Sequence, residues 1–412
     1  MHPNDPHGGS RRDFLKTGSL AAALGAIGGA DALAAPTPGY RGNKPSLQHH
    51  RFGLNYVPSK NWYFSFNDWK IADIREDMAR MAELGIDHLR VMVVWPWFQT
   101  NPKTVSTAHL DRFDQLMQAA AAENLDVMPT IYTGWLSGFR FDPVFYHKEP
   151  FYTSLQWARA QSVYLQALAA RMRHHPNFMG FDIGNEINVQ WSDKIAQGDA
   201  WMRRVFQEMH ALAPGKVHVN GVDNSPWFKE DTFSREALIA TQPIVALHCW
   251  PFWTGAGKLG GPLDKPYTHL PAAMAALVRS HARDPAKPVW IQEFGVCNVE
   301  MPEKDIPRYL EVAVEAALEE GVNWFTWWAS HDVSRQYEFH PFEYDLGLLD
   351  TSNRMKPAAH VYRRLAERWR GKPVKPARTP AAPPAVRNDD ATWAWLTAHM
   401  GYRARPASGQ QS

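Results

Sequence analysis

Cysteine is nearly missing from this chain of 412 residues, with Cys249 and Cys297 the two present. They can form one bridge at most, so no disulfide framework carries the fold and a packed core must do so. Beyond the N-terminal region no segment reaches about 18 uninterrupted apolar residues, which excludes a helix spanning a bilayer. Charge of one sign is not accumulated either. The 44 Lys and Arg stand against 42 Asp and Glu, leaving a net charge of +2. No basic stripe is available to follow a phosphate backbone, so a nucleic-acid partner is not indicated. The stretch after Arg51 lacks a GxGxxG motif, which argues against an open dinucleotide-binding sheet. His248, His331, Asp332 and His340 lack HxH or HExxH-type spacing at any strand end, so neither a metal nor another cofactor is expected.

What the chain has instead is tryptophan. Its 18 indoles are more than packing alone calls for, and many stand beside polar residues at the ends of apolar runs, where sugar rings stack. At the N-terminus, "SRRDFLK" (residues 10–16) precedes an apolar run over 20–30 and the small-x-small pattern Ala32-Leu33-Ala34. This resembles a twin-arginine export signal. The resemblance implies a signal over 1–35, a linker over 36–50, and passage through the twin-arginine machinery. The mature form would be free of the membrane, and periplasmic or secreted.

From residue 51 to 370, short apolar runs alternate with segments of helical period. Strand-like runs begin at Arg51, His88, Leu125, Met179, Lys216, Pro243, Pro288 and Val322. Helix-period segments cover 71–84, 109–123, 153–174, 196–212, 234–241, 271–282, 306–320 and 357–369. In the first of these Ile74, Met78, Met81 and Leu84 share one face. Eight strands, each followed by a helix, predict a single-domain α/β fold of the (β/α)8 TIM-barrel type. Residues 371–412 open with a Pro/Ala-rich stretch that cannot bury enough to fold alone. A short helix from Ala391 is expected to dock back onto the barrel, with no function assigned.

Barrel enzymes carry their chemistry at the C-terminal ends of strands. Those ends hold Asn55, Arg90, Tyr132 with Trp135, Asn185 with Glu186, His248 with Trp250, Glu293, and Trp327 with Trp328. Each residue alone has an ordinary reading: a lone strand-end glutamate is usually solvated, a lone arginine a salt-bridge partner, a lone tryptophan packing. Together they point elsewhere. Two carboxyls facing across a barrel mouth suit glycoside hydrolysis, one held protonated and the other ionised by a neighbouring cation.

The motifs "GNE" (184–186), "QEFG" (292–295), "LRV" (89–91), "HCW" (248–250) and "WFTWW" (324–328) resemble clan A of the glycoside hydrolases. Family 5, which contains cellulases, mannanases and β-mannosidases, is the most similar. The resemblance implies Glu186 as general acid/base and Glu293 as nucleophile, with retention of anomeric configuration. It further implies that Asn185 bonds the sugar 2-hydroxyl, that Arg90 keeps Glu293 ionised, that His248 orients Glu186 and that Trp327 floors the site. Two positions depart from the family pattern: Tyr132 replaces a histidine after strand three, and Trp250 replaces a tyrosine that bonds the nucleophile. An indole N–H donates but cannot accept, so it fills only part of that role.

Long aromatic insertions over 58–69, 251–269 and 330–347 border the predicted mouth and suggest a pocket rather than a groove. The first of them resembles the β-mannosidase-like branch of the family. The expectation is an exo-acting β-mannosidase on short manno-oligosaccharides or mannose-β-1,4-N-acetylglucosamine units, so the partner is a β-linked oligosaccharide. An endo-β-1,4-mannanase or endo-β-1,4-glucanase is the rival reading. A sugar-binding barrel without catalysis is more remote, since neither glutamate is lost.

Overall fold

The computed structural model describes residues 40–43, 46–146 and 148–403. The expected export signal over 1–35 lies outside them. The barrel strands are β1 (Arg51–Tyr56), β2 (His88–Met92), β3 (Asp126–Tyr132), β4 (Asp182–Asn185), β5 (Val219–Gly221), β6 (Val245–Cys249), β7 (Val289–Phe294) and β8 (Trp324–Trp327). All are parallel to their neighbours, in the order β5-β4-β3-β2-β1-β8-β7-β6. The seam between β5 and β6 is bridged by a side chain: Gln242 Oε1 accepts from the Asn220 N–H at 2.9 Å and the Ala246 N–H at 3.4 Å.

Each strand is followed by an outer helix, as expected: α1 (Ile71–Ala82), α2 (Thr107–Ala122), α3 (Leu155–Met172), α4 (Ile195–Leu212), α5 (Arg235–Thr241), α6 (Leu270–Ala282), α7 (Ile306–Glu319) and α8 (Pro357–Trp369). Helix α2 begins two residues before the expected start because the Ser106 hydroxyl accepts from the His109 N–H and so caps it. Ser154 and Ser234 cap α3 and α5 in the same way. Short helical turns after β2, β4, β5 and β6 lie below the length at which helical periodicity is readable.

Side chains fill the barrel in layers. At the N-terminal face Arg51 bridges Asp87 (3.1 Å) and Asp126 (2.6 Å). Above it sits an apolar plug containing Met128, Met179, Val219, Ala246, Trp290 and Trp324. Near the C-terminal face the interior turns polar, with Asn55, Arg90, Asp182, His248 and Gln292 all buried. Buried polar groups must find partners or cost free energy, so this layer determines where the chemistry sits. Cys249 and Cys297 are both buried and unpaired. The tail carries a helix α9 (Asp389–His399) that hydrogen-bonds to barrel loops through Thr392 and Trp393.

Candidate active site

Arg90 is the hub. Its guanidinium donates from Nε to Asp182 Oδ2 (2.8 Å), from one terminal nitrogen to Asn55 Oδ1 (3.1 Å) and Glu293 Oε1 (2.5 Å), and from the other to Asn185 Oδ1 (2.9 Å). Four acceptors around one fully buried cation fix its plane and aim it at Glu293. Asp182, which sequence reasoning did not single out, anchors the hub. It also accepts from the Thr130 hydroxyl and the Gly221 N–H.

Strict alternation along β7 would turn Gln292 inward and Glu293 outward. The strand instead carries an extra residue relative to both neighbours. Ile291 and Glu293 face the consecutive Leu247 and His248 of β6, while Ile291 and Phe294 face Phe325 and Trp327 of β8. This bulge brings both side chains to the barrel mouth. A comparable shift separates Asp182 and Asn185 from their partners Val219 and Gly221. Glu186 follows it with φ 48° and ψ 40°, a left-handed conformation disfavoured for a residue with a Cβ.

The two carboxyls converge. Ligand atoms of Glu186, His248 and Glu293 all lie within 4.8 Å of one another. His248 Nδ1 is 2.8 Å from Glu186 Oε1 and 3.4 Å from Glu293 Oε2. Nε2 lies 3.2 Å from Gln292 Oε1, so both ring nitrogens face side-chain oxygens. Burial pulls the His248 imidazole below its ordinary value, favouring the neutral ring. The Trp250 indole N–H donates to Glu293 Oε2 at 3.2 Å.

The environments of the carboxyls differ. Burial pushes Glu186 up to about 7, with Arg90 opposing weakly from a distance. Burial raises Glu293 too, but His248 and the Arg90 guanidinium in contact with it pull against that rise. The proton of the pair therefore resides on Glu186 and the charge on Glu293.

A cavity of about 610 Å³ opens over the pair and is lined by Trp135, Asn185, Glu186, Trp250, Glu293 and Trp328 among others. Arg90, His248 and Asn55 lie beneath it, buried, and reach it through the groups they hold. Asn185 donates to the Trp135 carbonyl at 2.5 Å while accepting from Arg90, which leaves one amide hydrogen for a ligand. Two expectations are corrected. Trp327 does not floor the cavity, because its indole N–H donates to the Leu346 carbonyl (2.9 Å) and its ring packs beside Phe294. The next residue, Trp328, lines it instead. Tyr132 is no ligand-facing residue, because it packs against Trp95, Tyr164 and Trp201 and its hydroxyl donates to the Gln161 carbonyl in α3.

These features agree with what known proteins show. The model of the cellulase family, glycosyl hydrolase family 5, matches residues 47–333. The chain belongs to glycoside hydrolase family 5. Among solved structures, a glutamate-to-alanine variant of GH5_18 from Streptomyces cattleya, in complex with Manβ1-4GlcNAc, is 32% identical. That match covers 80% of this chain and 83% of the other, with a TM-score of 0.76. A GH5_18 variant from Bifidobacterium longum subsp. longum, in complex with the same disaccharide, is 26% identical over 79% of this chain and 80% of that one, with a TM-score of 0.75. An exo-β-1,4-mannosidase from an Opitutaceae bacterium, 23% identical over 81% of this chain and 62% of that one (TM-score 0.70), shares the fold. No curated protein matches the chain.

Three further carboxyls of this family 5 glycosidase reach the cavity and escaped sequence reasoning, since none ends a strand: Asp223, Glu343 and Asp389. Burial raises Asp223 and Glu343 to about 7 each, and the neighbouring catalytic-site carboxyls add to both. Asp223 is held by the Asn188 amide (2.6 Å) and the Ser225 N–H (2.9 Å). Among the described residues, the converging group of possible metal ligands is the Glu186–His248–Glu293 trio itself. Arg90 already places a positive charge against it, which disfavours a cation.

Proposed function

We propose that this chain is a retaining, exo-acting β-mannosidase that takes a terminal β-1,4-linked mannose from a short oligosaccharide, such as a mannose–N-acetylglucosamine unit. The observation that carries the mechanism is the pair of carboxyls within 4.8 Å of each other, Glu293 held by Arg90 and Trp250, Glu186 raised by burial. Retaining enzymes need the two groups about 5–5.5 Å apart, close enough for direct attack. Glu293 attacks the anomeric carbon and forms a glycosyl ester as the bond to the leaving oxygen breaks. Glu186 gives its proton to that oxygen. Water then attacks the anomeric carbon of that ester, Glu186 takes the water's proton, and Glu293 leaves as a carboxylate.

Exo action is supported by an aromatic wall on the Glu293 side. Trp62 of the loop after β1 stacks edge-on with Phe339 of the loop after β8 (5.0 Å), and Phe139 of the ribbon after β3 packs on Phe339 (4.8 Å). Phe342 carries the wall over to Trp250 and Phe252, at 5.8 and 5.3 Å. The mannoside reading is supported by the disaccharide bound to the Streptomyces and Bifidobacterium proteins. The test is hydrolysis of an aryl β-glycoside panel beside soluble mannan and cellulose. Fast release from the β-mannoside with both polymers inert is expected, and rapid attack on either polymer would sink the exo reading. We also propose export through residues 1–35, checked by N-terminal sequencing of the mature protein.

A further inference from the structure

The chain beyond Arg370 reaches the cavity. It leaves the bottom of the barrel paired with the segment before β1, the Val374 N–H donating to the Gln48 carbonyl (2.8 Å). It is held at α6, where the Ser280 hydroxyl donates to the Ala381 carbonyl (2.6 Å), and it ends in α9. Two side chains of α9 grip the loops after β5 and β6. The Thr392 hydroxyl donates to the Phe228 carbonyl (3.1 Å), and the Trp393 indole N–H donates to the Thr254 carbonyl (2.8 Å). The Trp393 ring lies 5.6 Å from that of Phe228, and Thr392 and Leu396 are fully buried. Farther along, Lys265 Nζ donates to the Met400 carbonyl (2.6 Å). This docking carries Asp389, in the first turn of α9, into the cavity wall beside Phe228, Lys229, Trp253 and Thr254.

The position of that wall relative to the carboxyls gives it a meaning. The glycosidic oxygen must lie against Glu186, which protonates it, and the anomeric carbon against Glu293. The leaving sugar therefore extends away from Glu293, over the loops that α9 grips. Resting on the glycosidase reading above, we propose that α9 completes the subsite for the leaving sugar. Asp389 accepts a hydrogen bond from a hydroxyl of that sugar, Trp253 offers its half-exposed ring as a stacking face, and Thr392 and Trp393 are positioning residues that hold Phe228 and Thr254.

The experiment compares kcat/KM for mannose-β-1,4-N-acetylglucosamine with that for an aryl β-mannoside, whose leaving group has no hydroxyl for Asp389. In Asp389→Ala the ratio of the two should fall about tenfold, the scale of one hydrogen bond to a charged group, mainly through a higher KM for the disaccharide. Asp389→Asn should recover most of it. Trp393→Phe, which keeps the ring and loses the bond to Thr254, should move the ratio the same way by a smaller factor. An unchanged ratio, or an equal fall for both substrates as a purely structural helix would give, overturns the proposal while leaving the glycosidase reading intact. A folded wild type that hydrolyses neither substrate overturns both.

Discussion

At the residue scale the site works by treating two chemically identical carboxyls differently. In the proposed mechanism Glu186, raised to about 7 by burial, must hold its proton to protonate the leaving oxygen, so kcat/KM should decline as pH rises through about 7. Glu186→Gln should abolish that basic limb. It should slow disaccharide cleavage about 10²–10⁴-fold, the usual contribution of a general acid, and slow activated aryl mannosides much less, because their leaving groups need little protonation. A pH–rate profile with an unshifted limb would place the titrating group elsewhere. Trp250 presents a second test. Its N–H is a charge-assisted donor to Glu293, and such a bond contributes about 1.5–3 kcal/mol. Trp250→Phe should therefore lower kcat about 10–100-fold with the fold intact by circular dichroism, whereas a loss below about threefold would mean that Arg90 alone holds the nucleophile. Both glutamates were legible because each follows an apolar run. The misplacement of one residue, Trp327 for Trp328, shows the limit of that reading. Which of two adjacent indoles faces the mouth depends on how the chain leaves β8, and nothing in "WFTWW" records it.

At the scale of elements, the barrel separates stability from chemistry. The eight strands and eight helices were readable from alternating periods, with boundaries shifted by caps such as Ser106. The bulge in β7 was not, because a bulge is a relation between neighbouring strands and leaves no trace in the period of one. It nevertheless decides the site, since without it Glu293 would face the helices. The opposite end of the barrel carries a different commitment. Arg51 neutralises the buried Asp87 and Asp126 at the N-terminal face, far from the cavity. Arg51→Met would leave two buried carboxylates without their cation, which costs about 3–5 kcal/mol. Urea unfolding should show stability lower by that amount, as a lower midpoint with an unchanged slope, while kcat of the folded enzyme stays within about twofold. A variant of wild-type stability would mean that Tyr40, which donates to Asp126 at 2.5 Å, and His88, beside Asp87 at 2.7 Å, suffice.

At the scale of the whole molecule, the question is what encloses the substrate. The barrel was legible in the sequence; its enclosure was legible only in part. The aromatic insertions after β1 and β8 announced a wall, and they do pack together through Trp62 and Phe339. The insertion over 251–269 was legible as well, but what bonds to it was hidden, because Thr392 and Trp393, which donate to the loops after β5 and β6, sit in a tail more than a hundred residues downstream. The exo action proposed above requires walls on both sides of the carboxyl pair, with room for a short substrate and none for a chain running through. This geometry predicts a product pattern. With manno-oligosaccharides of increasing length, mannose should be the sole early product, released one unit at a time, and the rate should not grow once the leaving portion exceeds the subsite beside α9. A polymer threading an open groove would instead be cut internally, giving mixed oligosaccharides and a rapid fall in the viscosity of soluble mannan. Chromatography of early products together with viscometry separates the two, because an exo enzyme raises reducing sugar long before viscosity changes. Internal cleavage at early times would mean that one wall moves aside, and the aromatic contacts of Phe339 and Phe342 would be the first place to look.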